Sequence, residues 1–206
     1  MAWISNWQYN AKIPVYPWHG GIATPRHMVL KTIGQKPTLI QQPHAKLETI
    51  ESHTRPSFWK SFAEGKMNLD PVGKTLDIDL EFSPCGATGF GIIVQATSDG
   101  KQQTRIGYNV TGQNMFVDRT QSGDVSFDKT FARVYHAPLA PNSEGIVHLR
   151  VLVDWSSVEV FGGEGESTLT AQIFPNRDAR FAQLFSHGGS TENVKLGIRK
   201  VPSIWH

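Results

Sequence analysis

The sequence predicts an all-β protein, an antiparallel sandwich of two packed sheets. Three observations predict it. Residues 146–174, IVHLRVLVDWSSVEVFGGEGESTLTAQIF, alternate apolar and polar side chains, the period of strands with one buried face. From Phe58 onward, short runs of the same kind recur between turn residues, as they do in sandwiches. No long run has the 3.6-residue apolar period of a helix.

In chain order, Trp3 to Tyr9 reads as a strand with Trp3, Ser5 and Trp7 on one side and Ile4 and Asn6 on the other. Pro14, Pro17 and Gly20-Gly21 mark a loop. Ile22 to Ile33 and Thr38 to Gln41 are expected as two more strands around Gly34-Gln35-Lys36-Pro37. Three strands alone bury little surface, so this piece should lean on the sandwich, on a partner or on its own copy. The division expected is 1–42 for these strands, 43–57 as a polar linker and 58–206 as the sandwich.

Within the sandwich, Leu76, Ile78, Leu80 and Phe82 alternate with Asp77, Asp79 and Glu81. Phe90 to Thr97, Gln103 to Val110, Asn114 to Arg119 and Val134 to Pro138 follow as strands. Val147, Leu149, Val151 and Val153 then open a three-stranded meander. Asp154-Trp155-Ser156-Ser157 makes its first turn, where short polar side chains cap their own backbone. Val158 and Val160 carry the middle strand and leave Glu159 outward, toward solvent. Gly162-Gly163-Glu164-Gly165 supplies the positive-φ turn before Ser167 to Phe174. Arg180 to Ser186 and Val194 to Val201 complete the set.

Composition excludes several function classes. A formal charge of +2 points to neither nucleic acid nor an anionic membrane. No apolar run is long enough to span a bilayer. The single Cys85 rules out an internal disulfide framework or a cysteine zinc site. The eight histidines form no HxxxH or HxH pair, so a metal site would have to be assembled by the fold. Six Trp and eleven Phe suit either sandwich cores or sugar faces. Met1-Ala2-Trp3-Ile4 leads straight into a strand pattern, so no signal peptide is expected and the chain as it stands would be cytoplasmic. Asn109-Val110-Thr111 is an N-glycosylation acceptor sequon.

Residues 153–175, VDWSSVEVFGGEGESTLTAQIFP, resemble the C-terminal β-sandwich signature of glycoside hydrolase family 32, the invertases, inulinases and levanases, and within it the fungal exo-inulinase branch. Trp3 to Tyr9 (WISNWQY), Pro17-Trp18 and Thr24-Pro25-Arg26 resemble the end of that family's five-bladed propeller, and Met115 to Gly123 (MFVDRTQSG) falls between the two. The resemblance implies a last propeller blade over 1–42 followed by the sandwich. It also implies secretion, a fructan or sucrose-type carbohydrate as partner, and Trp3 as one wall of a fructose subsite with Asn6, Trp7 and Trp18 beside it. No cofactor or metal is implied.

A retaining glycosidase needs two carboxyl groups about 5–5.5 Å apart. In the family these lie in propeller motifs that this chain only imitates. Met67-Asn68-Leu69-Asp70-Pro71 has Leu69 inserted, Arg177-Asp178 is followed by Ala179, and Cys85 follows Pro84 rather than glutamate. The expectation is therefore a C-terminal fragment of a fructan- or sucrose-hydrolysing enzyme without catalytic residues of its own. A fructan-binding module using Trp3, Trp7 and Trp18, or an interaction protein pairing through its orphan blade with the missing propeller or a second copy, stands beside it.

Overall fold

The computed structural model describes residues 2–15, 19–44, 56–70 and 72–202. Fourteen strands lie among them: β1 (Arg26–Ile33), β2 (Lys36–Pro43), β3 (Ser57–Phe62), β4 (Gly65–Leu69), β5 (Leu76–Ser83), β6 (Gly89–Ala96), β7 (Gln103–Asn109), β8 (Asn114–Gln121), β9 (Val134–Pro138), β10 (Val147–Asp154), β11 (Ser157–Gly162), β12 (Ser167–Gln172), β13 (Phe181–His187) and β14 (Thr191–Lys200). β3 to β14 form two six-stranded antiparallel sheets, ordered β12-β11-β10-β5-β14-β3 and β4-β13-β6-β7-β8-β9. β1 and β2 pair separately as a hairpin.

The alternation read from the sequence sets the core. Leu76, Ile78, Leu80 and Phe82 of β5, with Val147, Leu149, Val151 and Val153 of β10, point inward against Phe90, Ile92, Val94, Ile106, Met115 and Val117 of the second sheet. The meander is present as expected, β10, β11 and β12 being neighbours in one sheet. β3 and β4 are short, carry little alternation and end on the edges of opposite sheets. That position needs few inward side chains, which is why neither stood out in the sequence.

The N-terminal piece departs from expectation in two places. Trp3 to Tyr9 is not a strand. Trp3 makes a single bridge to Ile22, and the chain then turns, because Asn6 Oδ1 accepts from Gln8 N and Asn6 O from both Tyr9 N and Asn10 N. A 3-10 turn over Asn10–Lys12 follows. Nor does a strand run from Ile22. Pro25 has no amide to donate, and the Thr24 amide is given to Glu159 instead, so pairing begins at Arg26. Of the expected linker, Pro43 closes β2 and Ser57 opens β3, and 45–55 lie outside the described residues.

The hairpin leans on the sandwich, as its small size demands. Gln41 N donates to Gly165 O at 2.9 Å. A Cβ at position 165 would stand 2.1 Å from Gln41 O, so only glycine, here at φ +102°, lets the β11–β12 turn come that close. Lys31 pairs with Glu164 at 2.7 Å, and Gln42 Nε2 donates to the Glu164 carbonyl. A second, mainly aromatic cluster of Tyr9, Ile13 and Phe131, with Val125, Phe127 and Phe174 against it, ties down the turn that precedes the hairpin.

Candidate functional site

Trp3, Asn6 and Trp7, three of the residues expected at a sugar site, come together at one corner. The Trp3 and Trp7 rings meet edge to face, 5.3 Å between centroids. Trp7 is 88% exposed and Trp3 43%. The Asn6 side chain is taken up by its own turn, through the Gln8 amide. Trp18 lies outside the described residues. Under Trp3 is a small cavity of about 190 Å³ lined by Tyr9, Arg119, Tyr135 and Gln172 among others. An apolar ring standing free beside polar groups that face a cavity is what orienting a sugar requires.

Two joints hold this corner on the sandwich, and both are made by residues of the signature motifs. In the first, Arg26 Nη2 meets Glu159 Oε2 at 2.7 Å and Thr170 Oγ1 at 2.7 Å, while Glu159 Oε1 accepts from Thr24 N at 2.7 Å. The Arg26 guanidinium also lies 4.9 Å from the Phe161 ring centroid. Glu159 was expected to face solvent, yet its side chain is only 5% exposed. It does point away from the core, but the N-terminal piece covers that face of β11.

In the second joint, Arg119 is buried to 1% exposure. It donates to the carbonyls of Phe131 (2.9 Å) and Gln172 (3.2 Å) and to the hydroxyls of Tyr9 (3.1 Å) and Tyr135 (2.6 Å). Its guanidinium stacks 3.8 Å from the Phe131 centroid and within 5.5 Å of Tyr9. Burial pushes the Tyr135 phenol up from its ordinary value. Arg119 was missed from the sequence although a signal was present: it shares phase with the buried Met115 and Val117 along β8. A charged residue at a core-facing position marks a polar joint.

The fold also assembles a titratable group that spacing could not show. Ligand atoms of Asp79, Glu81 and His148 lie within 4.8 Å of one another. They are already engaged: His148 Nε2 faces Asp79 Oδ2 at 3.2 Å, His148 Nδ1 faces the Gly163 carbonyl at 3.0 Å, and Lys195 holds Glu81 at 2.9 Å. Both ring nitrogens face acceptors, an arrangement only the imidazolium satisfies. The hydrogen bond to Asp79 accordingly raises His148, and the bond from His148 lowers Asp79. The raised histidine stabilises fully below its unfolded pKa of about 6.5 and loses that contribution as pH rises through its folded value. The lowered aspartate contributes above its own unfolded value and is lost as pH falls. Stability should therefore decline as pH rises from below about 6.5 through the raised value of His148, by a modest amount because the pair is partly solvent-screened. Thermal melts of the native chain and of His148→Gln across that range check this, and equal pH slopes would refute it.

The motif look-alikes fall apart in space. Met67, Asn68 and Leu69 sit in edge strand β4 with Asp70 exposed just after it. Asp178 lies in an exposed turn, and Cys85 is an exposed free thiol. Asn109 of the sequon ends β7, where its Oδ1 accepts from Gly112 N at 2.8 Å in the hairpin turn. No helix among the described residues is long and apolar enough to cross a membrane.

Comparison with known proteins agrees with this architecture. The family model "Glycosyl hydrolases family 32 C terminal" matches residues 46–200. An extracellular exo-inulinase of Aspergillus awamori is 51% identical over all of this chain and 39% of its own length. A levanase of Bacillus subtilis is 34% identical, again over the whole chain and over 31% of its length. The crystal structure of the A. awamori exo-inulinase superposes with a TM-score of 0.95 over 98% of this chain and 40% of that one. A β-fructofuranosidase of Schwanniomyces occidentalis shares the fold at a TM-score of 0.75 and 21% identity. The chain thus spans about two fifths of the length of the exo-inulinase it matches. It belongs to glycoside hydrolase family 32, as the C-terminal domain of inulinase- and invertase-like enzymes.

Proposed function

We propose that this chain is the supporting C-terminal part of a secreted fructan-hydrolysing glycosidase. In this reading residues 1–42 belong to its last propeller blade, with β1 and β2 as blade strands, and the catalytic carboxylates come from a propeller portion outside these 206 residues. The observation that carries the reading is the Trp3 corner: an exposed indole fixed by two buried joints, in a chain 51% identical throughout to an exo-inulinase. Trp3 would wall the fructose site and hold the ring near the attacking carboxylate, where orientation contributes much of the rate. The sandwich would act through positioning, not chemistry.

The 206-residue chain by itself should release no fructose from sucrose or inulin. A chimera carrying it in place of the corresponding C-terminal part of the A. awamori exo-inulinase should hydrolyse inulin. Fructose released by the isolated chain, or a folded but inactive chimera, would overturn the assignment. The exposed Trp3–Trp7 pair also favours a second reading, a fructan-binding module. That reading needs the isolated chain to bind fructo-oligosaccharide and the folded chimera to stay inactive.

A further inference from the structure

We propose that Asn109 carries an N-linked glycan, and that its first N-acetylglucosamine lies in a shallow pocket on the outer face of the second sheet, against Phe116. Glycan transfer takes place along the secretory route, so this rests on the secreted reading above. Asn109-Val110-Thr111 is the only Asn-x-Ser/Thr sequence in the chain, Asn142-Ser143 being followed by Glu144. The pocket encloses about 230 Å³. That is below the range of about 300–1,000 Å³ for drug-sized ligands and suits a single sugar ring.

Strand alternation and register build the pocket. Ile106 and Tyr108 of β7, Met115 and Val117 of β8 and Leu184 of β13 lie in the core, so Asn109, Phe116 and Phe185 face the other way. Across the sheet Phe185 pairs with Gly91, Gly91 with Gly107 and Gly107 with Phe116. Two glycines between two phenylalanines let the rings lean together. A Cβ at Gly107 would stand 3.0 Å from Phe185 Cζ and 3.1 Å from Phe116 Cζ. One row along, Asn109 pairs with Gly89, which has no side chain to fill the space beside it. Asn109 and Thr111, the two sequon residues that transfer requires, both line the resulting pocket together with the two rings.

The Asn109 side chain is held in a way that the modification leaves intact. Its Oδ1 accepts from Gly112 N at 2.8 Å, which leaves Nδ2 outside the turn's bond. In the transfer, Nδ2 bonds to C1 of an N-acetylglucosamine supplied as a polyisoprenyl diphosphate-linked oligosaccharide. The bond from C1 to the diphosphate oxygen breaks, the diphosphate leaves with the electron pair, and the amide nitrogen gives up one proton. The amide carbonyl is untouched, so the bond from Gly112 survives.

The pocket offers what an acetamido sugar needs. Phe116 is half-buried, and an apolar sugar face or the acetyl methyl group can pack on its ring. The Arg105 guanidinium lies 4.7 Å from the Phe185 ring centroid, and its buried Nε has no hydrogen-bond partner among the described residues. Buried polar atoms are nearly always paired, so this donor calls for an acceptor from outside the chain, which the acetamido carbonyl supplies. Thr88 and His187 add polar groups at the rim.

The test is to secrete the 206-residue chain from yeast behind a secretion leader, with its Asn109→Gln, Thr111→Val and Phe116→Ala variants, and to read intact masses and thermal melts. The native chain from the medium should carry one glycan, absent from Asn109→Gln and Thr111→Val. Trimmed by endoglycosidase H to a single N-acetylglucosamine, it should melt about 2–4 °C above Asn109→Gln. The same comparison in a Phe116→Ala background should show no difference. An unmodified native chain from the medium overturns the proposal. So does a single sugar that adds nothing to the native melt, or that adds as much in the Phe116→Ala background. If Phe116→Ala fails to fold, an undiminished increment in Phe116→Leu, which keeps an apolar side chain without the ring, overturns it in its place. Fructose release by the chimera judges the hydrolase reading separately: an active chimera secreted with Asn109 unmodified removes the glycan and leaves the enzyme.

Discussion

Replacing Glu159 with alanine should release the N-terminal piece from the sandwich while the sandwich stays folded. Glu159 is the acceptor for two donors from that piece, the Arg26 guanidinium and the Thr24 amide, each at 2.7 Å. With the carboxylate gone, a guanidinium only 16% exposed is left with the neutral Gln41 Oε1, the Thr170 and Thr168 hydroxyls and an aromatic face. Breaking one half of a buried ion pair costs about 3–5 kcal/mol, because the remaining charge stays desolvated. The hairpin has little to offset that, since an isolated pair of strands is marginal in water.

Hydrogen exchange should register the change as faster exchange of the Gln41 amide and of the β1–β2 ladder, with β5 and β10 unaffected. The double replacement Arg26→Met with Glu159→Leu should restore much of the protection, since an apolar pair of similar volume removes the desolvation penalty. Native-like protection of β1 and β2 in Glu159→Ala would show that the aromatic cluster around Tyr9 and the Lys31–Glu164 pair suffice without it.

Arg119→Ala should destabilise the whole chain. Four acceptors lose their donor at once, two carbonyls and two hydroxyls, and the side chain leaves a cavity among Phe131, Tyr9 and Tyr135. Together these effects are worth about 3–5 kcal/mol, or roughly 10 °C of melting temperature in a chain of this size. Arg119→Lys should recover only part of the loss. Its compact ammonium has three donors against the fork of five, and no plane to lie on the Phe131 ring. A melting temperature within about 2 °C of native for Arg119→Ala would mean that the cluster closes over the gap.

The two joints explain why the residues that carry the family resemblance sit where they do. Thr24 and Arg26 from one motif grip Glu159 from another, and Tyr9 and Gln172 from two further motifs converge on the guanidinium of Arg119 in a third. None of these contacts is chemistry on a substrate. They set the orientation of the Trp3 corner against a rigid sandwich, and in the proposed reading a pocket walled by Trp3 would inherit that precision.

Much of the fold was legible in the sequence because a strand with one buried face records that face every second residue. Leu76 to Phe82 and Val147 to Val153 could be placed to within a residue or two, and Gly163 and Gly165 announced the turn between β11 and β12. The covering of the other face was not legible. Glu159 alternates like a solvent residue, and only a hairpin more than a hundred residues upstream makes it buried. Trp3 to Tyr9 alternates like a strand, but a strand needs a neighbour, and the Asn6 side chain and carbonyl turned the chain first. The pairing of His148 with Asp79 depends on sheet order, which sets β10 beside β5. By itself the sequence determined the inner sandwich strands and which of their faces is apolar, because both follow from local period. The tertiary structure alone decided which polar residues meet, because those distances are closed by segments far apart in the chain.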